Sequence, residues 1–123
     1  MTPKILIIED NTMVLKSLEF KLIREGFEVL TASDGRQGMS LIREGSFELV
    51  ITDLMLPFIT GLEIIEYIKT EHPDTAVIVL STSNQEHIIA DAFNLGADDF
   101  ITKPFNPNEL TLRVKRSLGI RKT

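Results

Sequence analysis

Four short apolar runs in this chain each lead into a polar group suited to phosphoryl chemistry. Ile5-Leu6-Ile7-Ile8 runs into Glu9-Asp10, and Leu49-Val50-Ile51-Thr52 into Asp53. Ala76-Val77-Ile78-Val79-Leu80 runs into Ser81, and Phe100-Ile101-Thr102 into Lys103-Pro104. Gathering Glu9, Asp10 and Asp53 at one place is unfavourable, because like charges raise one another's pKa unless a cation compensates. A hard divalent ion answers that need. Magnesium takes oxygen ligands, commonly carboxylates, waters and a phosphate oxygen, and manganese is an acceptable substitute. A carboxylate is also a competent nucleophile in aspartyl-phosphate chemistry, and Asp53, central and at a strand end, is the best candidate. Lys103, a flexible point charge, could neutralise Asp53 and then a transferred phosphoryl group. Ser81 could donate a charge-assisted hydrogen bond to a phosphoryl oxygen.

Each residue alone has a plainer reading. Asp10 could cap a helix or form a turn, Ser81 could be an ordinary structural hydroxyl, and Lys103 could lie on the surface. What argues against coincidence is the placement of the elements that carry them. Short β-branched runs read as strands buried on both faces, the mark of a parallel sheet, and ligands bind outside the carboxyl ends of such strands. Strand and helix signals alternate five times. Asp10-Asn11-Thr12 can cap a first helix with Val14, Leu18 and Leu22 on one face, ended by Glu25-Gly26. A second strand is expected from Phe27 to Thr31. Ser33-Asp34-Gly35 opens a second helix with Met39, Leu41 and Ile42, and Gly45 stops it. Gly38 inside this helix costs about 1 kcal/mol relative to alanine, which predicts the weakest of the helices.

After the third strand, Pro57 forces a loop. Thr60-Gly61-Leu62-Glu63 matches a capping box ahead of a helix with Ile64, Ile65 and Ile68 buried, closed by His72-Pro73. A fourth helix is expected from about Gln85 to Leu95, with Ile88, Ile89, Ala92 and Leu95 inward and Gly96 as its cap. A fifth begins near Pro107, with Leu110, Val114 and Leu118 as core. The order is (βα)5. Right-handed crossovers then give an α/β, doubly wound, five-stranded parallel sheet of order 2-1-3-4-5, with Glu9, Asp10 and Asp53 where the winding reverses.

Composition narrows the function classes. With 123 residues the chain is long enough for one domain with its own core. No apolar stretch approaches the roughly 18 residues of a membrane span, and the N-terminus has no signal-peptide pattern. The absence of cysteine excludes thiolate chemistry and fits, without proving, a cytoplasmic setting. A net charge of −5 is the wrong sign for a nucleic-acid binder. Arg113, Lys115, Arg116, Arg121 and Lys122 read as cations at a helix C-terminus plus a solvated tail. Leu112 lies opposite the stripe of the last helix and is expected to be exposed. His72 and His87 lack metal-site spacing.

In combination, Ile8-Glu9-Asp10-Asn11, Thr52-Asp53-Leu54-Met55-Leu56-Pro57, Gly61 and the run Leu95 to Phe105 resemble the receiver domains of two-component response regulators, over Lys4 to about Leu118. The resemblance implies a flavodoxin-like fold. It implies that Asp53 accepts a phosphoryl group from a phosphohistidine on a sensor histidine kinase or histidine phosphotransfer protein. Glu9, Asp10, Asp53 and the backbone carbonyl of Met55 would hold magnesium. Ser81 and Phe100 would be switch residues, Lys103 would contact phosphate, and the Lys103-Pro104 bond would be cis. The output would be a remodelled surface of the fourth helix, fifth strand and fifth helix, read by an effector domain or protein or by a second copy in a phosphorylation-dependent homodimer. Met13, Val14 and Ser17 are the expected surface for the kinase partner.

The sequence departs from the family pattern at three places. Glu9 replaces the more frequent aspartate, which favours contact with metal through water. Thr82 replaces alanine and would border the phosphoryl group, altering access by water. Thr60 replaces Asp or Asn, which a capping role tolerates. The chain would be a switch that catalyses only its own phosphorylation and dephosphorylation, with residues 1–119 as the receiver and 120–123 as a tail or the start of a linker. Two rivals stand beside it. An aspartate-nucleophile phosphatase of the haloacid-dehalogenase type needs an Asp-x-Asp pair where this chain has Glu9-Asp10-Asn11-Thr12. A non-phosphorylated docking scaffold would be expected to lose Asp53 or Lys103.

Overall fold

Ten segments alternate along the chain, and their boundaries follow from which backbone groups find partners. The structure, a computed structural model, describes residues 2–82 and 85–120. The elements are β1 (Lys4–Ile8), α1 (Thr12–Arg24), β2 (Glu28–Ala32), α2 (Gly35–Glu44) and β3 (Leu49–Asp53), followed by α3 (Gly61–Glu71), β4 (Ala76–Ser81), α4 (Glu86–Asn94), β5 (Asp99–Thr102) and α5 (Pro107–Ser117). Asn11, Asp34, Thr60 and Asn106 each cap a helix by accepting a backbone N–H one turn in. For the capping box at Thr60, the structure shows the Thr60 half, with the Glu63 N–H donating to its Oγ1 at 3.3 Å.

The strands form one parallel sheet of order β2-β1-β3-β4-β5, the doubly wound, flavodoxin-like arrangement. Alternate strand residues serve opposite faces. Ile5, Ile7, Leu49, Ile51, Ile78, Leu80 and Ile101 pack with Leu18 and Leu22 of α1 and Leu110 and Val114 of α5. Leu6, Ile8, Val50, Val77 and Val79 pack with α2, α3 and α4. Each fully buried Leu or Ile stabilises by about 1.5–3 kcal/mol and a cap by about 1, so the two cores decide the fold and the caps set helix ends. Among the described residues no helix is long and apolar enough to cross a membrane.

Several local expectations shift. β2 starts at Glu28 rather than Phe27, because the Phe27 N–H is used by the end of α1, donating to the Leu22 carbonyl at 3.2 Å. Gln85 and Leu95 flank α4 as its caps, and of the inward positions Ala92 is buried while Ile88, Ile89 and Leu95 are half-buried against the core. Gly38 is a close-packing position: a Cβ there would strike the side chain of Ile8, so the glycine lets α2 lie directly on β1. Lys115 and Arg116 stand in the last turn of the last helix, as expected of cations at a helix C-terminus, and the basic residues there also pair with acids across the fold. Arg113 and Arg116 both bond Asp99 at 2.7 Å, and Lys115 approaches Glu25 at 3.5 Å. Arg121 and Lys122 lie outside the described residues.

Gly61 is a strict packing point. A Cβ there would strike the Asp53 carbonyl oxygen and come within 2.7 Å of the Leu54 Cα, both rigid backbone atoms. Gly61→Ala is therefore expected to destabilise by about 1–3 kcal/mol, the usual range for overpacking, read as a lower urea midpoint. An unchanged midpoint would mean that the β3–α3 connection yields freely.

Candidate functional site

Parallel register brings the polar strand ends to one edge. Ile8 pairs with Thr52, which sets Glu9 level with Asp53 on the neighbouring strand. Asp53 pairs with Leu80, so Ser81 follows one step beyond, and Ser81 pairs with Thr102 just before Lys103. The main chain continues these ladders past the strands: the Glu9 N–H donates to Ala32 O at 3.0 Å and the Lys103 N–H to Ser81 O at 2.7 Å. The Lys103–Pro104 peptide bond is cis.

Lys103 joins the outer strands to the switch point. Its Nζ donates to Asp53 Oδ2 at 2.6 Å and to Glu9 Oε1 at 2.7 Å. The other Asp53 oxygen, Oδ1, accepts the Met55 N–H at 3.1 Å, so the start of the β3–α3 loop is tied to the carboxylate. Glu9 is wholly buried and Asp53 nearly so, whereas Asp10 is exposed. One carboxylate oxygen from each of the three lies within 4.8 Å of the others. Burial, above all, and a hydrogen bond shared with Asp53 push the Glu9 pKa up to about 8, against the opposing pull of Lys103. For Lys103, burial works to lower the pKa, but the bonds and charges of Asp53 and Glu9 outweigh it and the pKa is raised.

Two buried side-chain polar atoms have no hydrogen-bond partner among the described residues: Glu9 Oε2 and Ser81 Oγ. An unpaired buried polar atom is costly, and both stand at the strand ends flanking Asp53. An acceptor without a donor fits a hard cation, and three clustered carboxylates are the donor set such an ion takes. A hydroxyl without a partner fits an incoming anionic oxygen. The geometry is thus suited to a divalent cation and a phosphoryl group together, with Asp53 between them.

Thr82 is exposed, its N–H accepted by Gln85 Oε1 at 2.8 Å. Phe100 is half-buried on β5, its ring 6.0 Å from Phe93 in an edge contact and 6.0 Å from the Arg113 guanidinium. Met13 and Ser17 are exposed on α1, and Val14 is half-buried. Leu112 is 60% exposed, as its position on the last helix predicts. His72 caps α3 and His87 is exposed.

Reading the sequence alone misses Asp99. Its Oδ1 accepts both Arg113 and the Phe100 N–H, while Oδ2 accepts Arg116, so one buried carboxylate ties α5 to the backbone of Phe100. The three-residue spacing of Arg113 and Arg116 was the available signal, since it places both on one face. It also misses Lys69, which bonds Asp98 at 3.0 Å and the Thr75 carbonyl at 2.8 Å and so ties α3 to the base of β4 and β5.

Comparison with known proteins gives one family. Residues 5–115 match the family model described as the response regulator receiver domain. The transcriptional regulatory protein SrrA of Staphylococcus aureus is 37% identical over 118 residues, covering 96% of this chain and 48% of SrrA, so the chain spans about half the length of that relative. A CheY-like receiver domain protein of Methanospirillum hungatei superposes with a TM-score of 0.92 at 31% identity, covering 97% of this chain and 95% of that one. The response regulator DrrB of Thermotoga maritima, an OmpR/PhoB homologue, gives 0.86 at 39% identity, covering 97% of this chain and 54% of DrrB.

The raised pKa of Glu9 makes a prediction for the cation-free protein. Folded, Glu9 releases its proton near 8, and its ordinary value is 4.5. Between these values the folded state holds more protons, so this group's stabilisation is complete below the lower value and is lost as pH rises through the upper one. Glu9→Gln, always neutral, should lack that decline. Urea midpoints measured across the interval without divalent cations test this, and parallel declines in wild type and variant would assign the proton to another group.

Proposed function

Because the chain belongs to the response regulator receiver domain family, the signalling switches of two-component systems, we propose that its acidic cluster is a phosphorylation site with Asp53 as the acceptor. The observation that carries this reading is the pair of unpartnered buried atoms, Glu9 Oε2 and Ser81 Oγ, beside an Asp53 already held by Lys103. The donor is a phosphohistidine on a sensor histidine kinase or a histidine phosphotransfer protein. An Asp53 oxygen forms the new O–P bond as the P–N bond breaks, and the imidazole leaves with that electron pair. Lys103 shifts from the carboxylate toward the transferred group and offsets its charge. Ser81 Oγ donates to a phosphoryl oxygen. Magnesium, or manganese in its place, neutralises phosphoryl charge when bound, and Glu9, Asp10, Asp53 and the Met55 carbonyl oxygen would hold it.

The product is a changed surface on the chain itself, in a unit spanning residues 1–119. Phosphorylation adds about −1.5 to −2 charges. As Ser81 and Lys103 are drawn to the new group, Phe100 turns into the space they leave. It then loses its contacts with Phe93 of α4 and Arg113 of α5. The face formed by α4, β5 and α5 is thereby remodelled for an effector domain, an effector protein or a second copy of the chain. A cytoplasmic setting and the exposed α1 residues Met13 and Ser17 as kinase-facing surface fit the same reading.

Incubation with magnesium and a small phosphodonor, read by intact mass, should add one phosphoryl group to wild type and none to Asp53→Asn. Gain at another residue, or no gain with a cognate kinase supplied, sinks the assignment. Thr82→Ala should change the lifetime of the phosphorylated state, because Thr82 borders the path of the attacking water. Equal dephosphorylation rates for the two proteins would remove that role.

A further inference from the structure

One non-glycine residue among those described has a positive φ: Phe58, at 72°, in the connection between Asp53 and α3. The Ile59 N–H donates to the Pro57 carbonyl at 2.9 Å, which closes a three-residue turn around Phe58. A turn of this sort is strained for a residue with a bulky side chain, and strain persists only where the surroundings over-determine it. The surroundings here are the first residues of α2. The Arg36 guanidinium lies 3.7 Å from the centre of the Phe58 ring, a close stack. Beside it, a Cβ on Gly35 would strike the Ile59 carbonyl oxygen, so the backbone of α2 presses directly on the loop. The other end of the loop is tied to the site, through the Met55 N–H on Asp53 Oδ1 and the Gly61 N–H on Leu54 O at 3.1 Å each. Phe58 is 65% exposed, so burial of its ring does not account for the geometry.

We infer that Arg36 is a positioning residue for the cation and phosphoryl site, acting through Phe58 to hold the strained β3–α3 loop where Met55 can present its carbonyl. The inference rests on the phosphorylation reading above. The loop has an engaged arrangement, with Phe58 stacked and strained, and a relaxed one in which Phe58 returns to negative φ and the segment bearing Met55 drifts. Cation binding requires the engaged arrangement, so its apparent affinity scales with that arrangement's population. Arg36 supplies the bias.

The sign of the effect separates this role from plain electrostatics. Removing a positive charge at the same sheet edge as three carboxylates would tighten cation binding. Loss of the clamp weakens it. Arg36→Ala should raise the magnesium dissociation constant about fivefold, the scale of a single cation–π contact. Asparagine tolerates positive φ, so Phe58→Asn removes the strain that Arg36 opposes. The double variant Arg36→Ala/Phe58→Asn should bind magnesium within about twofold of wild type.

Magnesium titrations followed by amide NMR give the affinities. Hydrogen exchange at Ile59 in cation-free protein reports the turn directly, and it should accelerate in Arg36→Ala and slow again in the double variant. Unchanged or tighter binding by Arg36→Ala, or a double variant as weak as Arg36→Ala, overturns the clamp while leaving the phosphorylation reading intact. A wild type that binds no magnesium overturns both, and the exchange rates then show separately whether Arg36 holds the turn.

Discussion

Three carboxyl groups cannot be held within 4.8 Å of one another, two of them buried, without a counter-charge. Lys103 supplies it in this chain by reaching two carboxylates 50 and 94 residues away in sequence. The parallel strand order makes that contact possible, because it brings the lysine from the end of β5 to Asp53 at the end of β3 and Glu9 after the end of β1. The ammonium satisfies Asp53 and only part of Glu9, whose second oxygen stays unpartnered among the described residues and whose proton is held to about pH 8. The site is left electrostatically incomplete in this way.

Around this site the fold is braced unevenly. The sheet and its two cores form a rigid base, because strand residues alternate between faces that are both filled. The loops at the carboxyl edge are held by specific contacts. Gly61 brings α3 against the Asp53 carbonyl, and Gly35 and Arg36 press on the β3–α3 loop. On the other side, Asp99 joins Arg113 and Arg116 of α5 to the backbone of Phe100. Asp53 is thus flanked by a small number of specific contacts above a filled core.

The strand order, the helix caps and the membership of the acidic cluster were legible in the sequence, because each depends on local pattern. Apolar runs of five or so residues mark strands, and Asn11, Asp34 and Thr60 cap helices by bonding the backbone within one turn. Other features were not legible, because they depend on what lies across the fold. Gly38 lowers the helix propensity of α2, and its close approach to Ile8 was not legible. Arg113 and Arg116 read as cations favoured near a helix C-terminus, and their shared partner Asp99, buried on a different element, was not legible. Phe27 looked like the first residue of β2, but its N–H completes the end of α1.

By itself the sequence determined the doubly wound sheet and which polar groups stand at its carboxyl edge, since periodicity and crossover handedness act through neighbouring residues and general sterics. Only the tertiary structure decided how those groups divide their bonds. Which carboxylate oxygen takes the lysine, which buried atoms stay unpaired and which way the Phe58 backbone turns all depend on distances of a few tenths of an ångström between segments far apart in the chain. Those distances are set by packing against both faces of the sheet, and no local pattern encodes them.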